Sequence, residues 1–358
     1  MGLSVAADQD ASELRETPAA QESAAAIPAD GLVQPVIALL LPSAAPDFAR
    51  PADAVRQGFM AAQKAGGNTL PVGVFATDAT SASILAQYEA AIRLGARVVV
   101  GPMTRSGVSA LASSRLVSVP TLGLNQPEAP IALPPQFYTF GLALEAEAQL
   151  VARSAFASHY KSALLVSAKS ALAQRGREAF VIAWKQLGGT IKASHEFGPQ
   201  TDLLALKETL STAVTDMIFL AADFEQARKV RPFLNNNIDV FATSQVYSGR
   251  NDALANVDLN GIRFVEMPWL VQPDHAAVMI YPRPEGLGSG EERFYALGID
   301  AFRIAAELLG NARTLNMDGV TGRLTLTGNT IAREPVQAVF RNGAGTALDD
   351  GPPGEIRR

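Results

Sequence analysis

The chain of 358 residues is 48% apolar and 18% charged, which is too apolar for a disordered chain and about the length of two domains. It holds no cysteine, so disulfides, thiolate metal sites and a cysteine nucleophile are excluded within it. The formal charge of −5 comes from residues 1–34, where six acids face Arg15 alone, and the remaining 29 basic and 29 acidic groups balance; with no basic excess to release counterions, a nucleic-acid partner is not expected.

Residues 1–34 are rich in Ala and carry no aromatic side chain. They cannot bury enough surface to offset ordering entropy, so a flexible acidic tether is expected. No run of about twenty apolar residues is present to span a membrane. From Pro35 the pattern changes. Val36 to Leu41 is an unbroken apolar run of strand length ending at Pro42-Ser43, as suits a parallel strand covered on both faces. A helix follows, with Pro51 in its first turn, Val55, Phe59 and Ala62 on one face, and Gly66-Gly67 as its stop. Val72–Phe75 is the next strand and Ile84, Tyr88, Ala91 and Ile92 the next helical stripe. Val98–Val100 precedes a turn at Gly101-Pro102 and a helix through Val108 and Leu111; Val119–Leu124 is a fourth strand. The βαβα order implies a parallel sheet with helices on both sides.

The pattern then restarts. A helix near 143–157 leads to a strand at Ala163–Val166 and a helix from about Leu172 to Leu187. Strands at 190–195, 217–220 and 240–243 alternate with helices near 203–210 and 224–231. Gly261–Phe264 reads as a strand. Phe294, Leu297, Ala301, Ala305 and Leu308 form a helical stripe, and Leu324–Leu326 with Val336–Phe340 reads as a late antiparallel pair. The expected organisation is the tether at 1–34, a first lobe of 35–140 with 250–317, and a second lobe of 141–249 with 318–358.

No catalytic constellation is found. His159, His195 and His275 are widely separated, with no second ligand at metal-binding spacing. There is no Gly-x-Ser-x-Gly elbow, Gly-x-Gly-x-x-Gly or Walker loop. Gly286 to Gly290 is glycine-rich but follows prolines and precedes a helix, so it reads as a loop. No metal, cofactor or catalytic residue is expected. What remains is polar side chains at strand ends, where open α/β sheets bind ligands. The first half offers Ser43, Asp78, Thr104, Arg105, Ser106, Asn125 and Gln126; the second offers Ser167, Asp223, Gln245 and Tyr247. Thr104, Ser106, Asn125 and Gln126 are expected to face Asp223, Gln245 and Tyr247 across a cleft. The competing reading is that such residues cap helices, which strand-to-helix loops need anyway.

The opening Ile37-Ala38-Leu39-Leu40-Leu41-Pro42, the Gly58-Phe59-x-x-Ala62 helix, Val99-Val100-Gly101-Pro102 and Gly322-x-Leu324-x-Leu326 resemble the type I periplasmic binding-protein superfamily of the Leu/Ile/Val-receptor kind. Ala242-Thr243-Ser244, the run from Asp258 to Trp269, Leu297–Phe302 and Gly319–Leu324 resemble the C-terminal domain of the LppC/LpoA proteins, activators of penicillin-binding peptidoglycan synthases. The resemblance implies an α/β, two-lobed fold with a cleft between lobes and no catalysis. It implies a synthase partner and a periplasmic location, anchored at the outer membrane through an N-terminal lipidated Cys that these 358 residues do not contain. The alternative is a receptor for an amino acid or similar small polar ligand. Thr104 and Ser106 match the Ser/Thr with which such receptors hold a carboxylate. Gln245 stands where they carry an acid for the ammonium, and Ser170-Ala171-Leu172 stands where they carry a Tyr; Asp223 is a substitute acid. Glu266-Met267-Pro268-Trp269 is expected near a crossover between lobes, with Glu266 and Trp269 serving the hinge or a partner.

Overall fold

The structure is a computed structural model that describes residues 34–67 and 70–348. The tether expected at 1–34 lies, apart from Gln34, outside the described residues, as does the end of the chain from residue 349.

The first array runs β1 (Ile37–Leu41), α1 (Ala49–Ala65), β2 (Val72–Ala76), α2 (Ser81–Arg93), β3 (Val98–Val100), α3 (Arg105–Ala112), β4 (Thr121–Gly123) and β5 (Phe137–Thr139). The second runs α4 (Leu144–Ala157), β6 (Ser162–Ala168), α5 (Ala171–Gln186), β7 (Thr190–Phe197), α6 (Leu203–Ser211), β8 (Met217–Ala221), α7 (Phe224–Val230), β9 (Asp239–Ala242) and β10 (Arg263–Glu266). Then come α8 (Pro268–Val271), α9 (Ala276–Met279), α10 (Ser289–Leu309), β11 (Asn316–Asp318), β12 (Arg323–Thr327), β13 (Thr330–Glu334), β14 (Val336–Arg341) and β15 (Ala344–Ala347).

Two sheets result. One has the order β11-β12-β13-β5-β4-β3-β1-β2, the other β15-β14-β10-β9-β8-β6-β7. The parallel cores, 2-1-3-4-5 and 7-6-8-9-10, share one doubly wound topology, so each lobe reverses its winding beside its first strand. The unbroken apolar strands follow from that layering. On β1, Ile37, Leu39 and Leu41 join the core under α1 and α10, while Ala38 and Leu40 join a separate core under α2 and α3. Helices α1 and α10 pack unusually closely because glycines meet backbone on both sides. A Cβ at Gly58 would lie 1.9 Å from the Tyr295 carbonyl oxygen, and one at Gly298 would lie 2.1 Å from that of Val55. The second lobe has a single core around Phe180, Trp184, Phe219 and Phe241.

The late strands correct the expected pairing and boundaries. Leu324 and Leu326 pair with β13, not with Val336–Phe340. A two-residue turn at Gly328-Asn329 closes that hairpin, Gly328 supplying φ +59°. Asn329 Nδ2 donates to the Pro134 and Phe137 carbonyls, which fixes the hairpin beside β5 in the first sheet. Pro335 follows with no N–H for a ladder, and β14 enters the second sheet beside β10. So 263–266, expected with the first lobe, lies in the second sheet, and 323–334, expected with the second, lies in the first. Among the described residues the chain therefore passes between the sheets three times: at 140–143, just after Glu266, and at Pro335.

Candidate functional site

The carboxyl ends of the second sheet's strands leave a pocket of about 210 Å³. Ser170 and Leu172 line it from the head of α5, Ala222 and Asp223 from the end of β8, and Thr243 and Gln245 from the end of β9. Each position is set locally. Ser170 is the N-cap of α5 and its Oγ accepts from Ala173 N at 3.2 Å. Asp223 caps α7 in a reciprocal box: its Oδ1 accepts from Gln226 N at 2.8 Å, and its own N–H donates to Gln226 Oε1. Thus Asp223 and Gln245 share one pocket, and Asp223 also does a cap's work.

The other strand-end residues go elsewhere. Tyr247 is buried in the second core against Phe264 and Phe340, and its hydroxyl donates to Asn251 Oδ1 at 2.7 Å. Its expected place on the cleft is therefore corrected; burial pushes its phenol up to about 12, with the Glu266 charge adding to the rise. Ser167 is wholly buried and its Oγ has no hydrogen-bond partner among the described residues. Ser43 is exposed in the turn after β1, and Ser106 is exposed in α3. Thr104 Oγ1 caps α3 by accepting from Gly107 N at 3.2 Å. Asn125 Nδ2 donates to the Met103 carbonyl and its Oδ1 accepts from Gln126 N, which knits the loop to itself. None of these first-lobe residues lines the pocket.

Arg105 does reach the second lobe. Its Nη1 stands 3.6 Å from Glu145 Oε1 at the start of α4, and Arg175 of α5 donates to the same oxygen through Nε at 2.9 Å. Burial opposes ionisation of Glu145, but hydrogen bonds from Arg175 and the charges of Arg175 and Arg105 outweigh it, and its pKa is lowered.

A second polar cluster lies deeper, at the crossings. Glu147 of α4 is 5% exposed. Its Oε1 accepts from Arg333 of β13 at 2.5 Å; its Oε2 accepts from Ser244 N at 3.1 Å and Ser244 Oγ at 2.7 Å. The Ser244 carbonyl accepts from Arg293 of α10 at 3.1 Å, and Arg293 also donates to the Tyr247 carbonyl at 2.9 Å and to Glu266. Glu266 is 1% exposed; burial pushes its carboxyl up while Arg293 pulls the other way. Sequence reasoning marked Ser244 and Glu266 but missed Glu147, Arg293 and Arg333. The available signals were Arg333 two residues after Ile331, hence on the core face of its strand, and Glu147 inside the apolar stripe of α4.

Trp269, just past the second crossing, is wholly buried. Its Nε1 donates to Glu292 Oε2 at 3.1 Å, and the Arg283 guanidinium lies 4.0 Å from the ring centroid. Among the described residues no group of three His, Asp or Glu could hold a metal ion, and no helix is long and apolar enough to cross a membrane.

Two lobes of one topology joined by three crossings define the two-lobed periplasmic-binding-protein-like class. Within it the chain belongs to the LppC family: the family model described as "LppC putative lipoprotein" matches residues 16–343. A penicillin-binding protein activator LpoA from Photobacterium profundum is 28% identical over 346 residues, covering 85% of this chain and 55% of that protein. The LpoA of Haemophilus ducreyi is 26% identical, covering 86% and 54%. The chain thus spans about half the length of these curated relatives. Among solved structures, a "putative branched-chain amino acid ABC transporter" from Chromobacterium violaceum is 34% identical with a TM-score of 0.74, covering 85% of this chain and 99% of that one. The C-domain of Haemophilus influenzae LpoA, a regulator of PBP1A, is 22% identical with a TM-score of 0.73, covering 87% and 99%.

Proposed function

We propose that this chain is a non-enzymatic, periplasmic regulator that acts on a penicillin-binding peptidoglycan synthase. Membership of the LppC family across most of the chain, with relatives named as activators, carries the reading. The geometry supports it, because the strand-end polar groups are largely spent on capping their own helices and loops. Adding the purified chain to the penicillin-binding synthase of the same organism should raise the rate of glycan polymerisation or peptide cross-linking. Absence of both stimulation and binding would remove the proposal.

A second reading is a solute receptor that takes a small polar molecule against Ser170, Asp223 and Gln245. The pocket and the 34% identity to the Chromobacterium protein favour it. Thermal denaturation in millimolar single amino acids discriminates. A receptor gains stability by mass action with its ligand; a pure regulator shows no shift.

A further inference from the structure

The three chain crossings lie at the carboxyl edges of the sheets: after β5, after β10 and before β14, which runs antiparallel to β10. The amino edge of the second sheet is the end of that lobe away from them. Two segments meet there: the loop from Arg250 to Asn260 that leads into β10, and the Asn342-Gly343 turn between β14 and β15. Polar side chains fasten the loop from within. Asn256 is wholly buried, and its Nδ2 donates to the Arg250 carbonyl at 2.8 Å and to the Gly343 carbonyl at 2.6 Å. Asn260 Oδ1 accepts from Gly343 N at 3.0 Å, and Asn251 Oδ1 accepts from the Tyr247 hydroxyl and from Gly345 N. Asp252 Oδ1 accepts from Leu254 N and Ala255 N, each at 3.0 Å. The turn presses on the loop so closely that a Cβ at Gly343 would lie 2.4 Å from Ala253 Cα.

This loop turns its polar side chains inward and its apolar ones outward. Leu254 is 87% exposed and Val257 54%. A single exposed leucine is ordinary, but two large apolar side chains three residues apart on one fastened loop form a built apolar knob. The loop does not need them for its own packing: Leu259 is buried, and the turn Val257–Leu259 packs against α7 and the turn Arg231–Phe233. Because the base is already ordered, covering the knob costs little further conformational entropy. Its rim is cationic. Arg250 begins the loop, Arg341 precedes the turn that holds it, and Lys229 stands near the end of α7; all three are exposed, and among the described residues none forms an ion pair. The Asp252 carboxylate is bonded to amides, which leaves the exposed Asp258 as the loop's acid against those three cations.

We infer that the Leu254–Val257 knob, rimmed by Arg250 and Arg341, is the surface with which this chain docks its synthase partner, the two side chains entering an apolar depression bordered by carboxylates on the partner. The inference rests on the regulator reading above and adds to it where contact is made and with what chemistry. Buried apolar anchors supply most of the affinity of such a contact, and the charged rim steers encounter. The knob lies at the opposite edge of the second sheet from the pocket, so docking there leaves the pocket uncovered.

The test measures binding of the full chain to the purified penicillin-binding synthase of the same organism by surface plasmon resonance, with melting temperature as the check on folding. Leu254→Asp should weaken binding by at least about ten-fold and reduce synthase stimulation in step, while the melting temperature stays that of the unsubstituted chain. Leu254→Ser and Val257→Ser, which add no charge, should each weaken it by less. Leu94→Asp, at an exposed leucine after α2 in the first lobe, is the control and should change nothing. Arg250→Glu with Arg341→Glu should slow association several-fold and flatten its dependence on salt. If the unsubstituted chain binds and folded Leu254 and Val257 variants bind within two-fold of it, the inference is overturned while the regulator reading stands. If the unsubstituted chain does not bind the synthase at all, both fall. An unchanged association rate and salt dependence in the double arginine variant would overturn the carboxylate-bordered partner surface.

Discussion

Truncating Trp269 tests the packing at the second crossing. The ring is wholly enclosed, with Tyr295 5.3 Å away centroid to centroid, and the backbone is held on both sides. Trp269 N–H donates to the Val320 carbonyl at 3.0 Å, and the Trp269 carbonyl accepts from Arg283 at 2.7 Å. Trp269→Ala should cost about 3–5 kcal/mol, the usual range for emptying a large aromatic site whose walls cannot collapse. The stacked Arg283 and the bonded Glu292 add little, because their side chains are 45% and 25% exposed and water replaces what they lose. Trp269→Phe keeps most of the ring and loses the indole donor, so it should cost only about 1–2 kcal/mol. Urea unfolding followed by far-UV circular dichroism gives the difference. The other tryptophan, Trp184, sits in the second core and reports that lobe by fluorescence. If the lobes unfold as one cooperative unit, its transition moves with the first. A Trp269→Ala loss below about 1 kcal/mol would refute the enclosure argument, since it falls well under the range of about 3–5 kcal/mol typical of large aromatic truncations in a core. Synthase stimulation, measured where both proteins stay folded, should survive the substitution because a partner cannot reach the ring.

Gly298→Ala should lower the melting temperature and cost about 1–3 kcal/mol, because the new methyl meets the Val55 carbonyl and only a backbone shift relieves it; Gly290→Ala, where nothing lies within 4 Å, is the control and should be neutral or slightly stabilising. Asp300→Ala should cost on the order of 3 kcal/mol in urea titration, since it strips the acceptor from the Val320 and Thr321 amides and the Thr321 hydroxyl in a buried site. Asp216 accepts from the Lys161 and Ser162 amides, and these bonds hold its carboxyl below the ordinary value. Its contribution is therefore present above the unfolded aspartate range and disappears as pH falls through the lowered native value. Asp216→Ala should destabilise at pH 7, and the gap from the unsubstituted protein should shrink on acid titration.

The parallel cores were legible because strands covered on both faces are largely apolar: β1, β8 and the Ala163–Val166 part of β6 are continuous apolar runs, and the glycines after α1, α2 and α5 mark the stops. The late strands were misread because alternation alone does not choose a partner. Leu324, Leu326 and Val336–Phe340 alternate compatibly, and only the Gly328 turn and the missing N–H of Pro335 decide that they part. The strand-end rule located the edge of each sheet but not the direction of each side chain. It selected Asp223 and Gln245, which share the pocket, and with equal force Tyr247 and Ser167, which point into the second lobe's interior. The arginine pairs escaped notice because a scattered charge reads as solvated surface until its partner, 186 residues away for Arg333 and Glu147, is brought beside it.

The chemistry of the pocket bears on the choice between regulator and receptor. A free amino acid brings an ammonium and a carboxylate, and burying either without a partner is costly. Asp223 offers the pocket a negative charge. Arg105 of the first lobe and Arg175 of the second already share Glu145, and no arginine or lysine lines the pocket. The hydroxyls suited to a carboxylate, Thr104 and Ser106, stand on the first lobe outside the pocket, and reaching them would require the lobes to swing together. As it stands the pocket offers a partner for the ammonium of a zwitterion but no cation for its carboxylate, which weighs against the receptor reading.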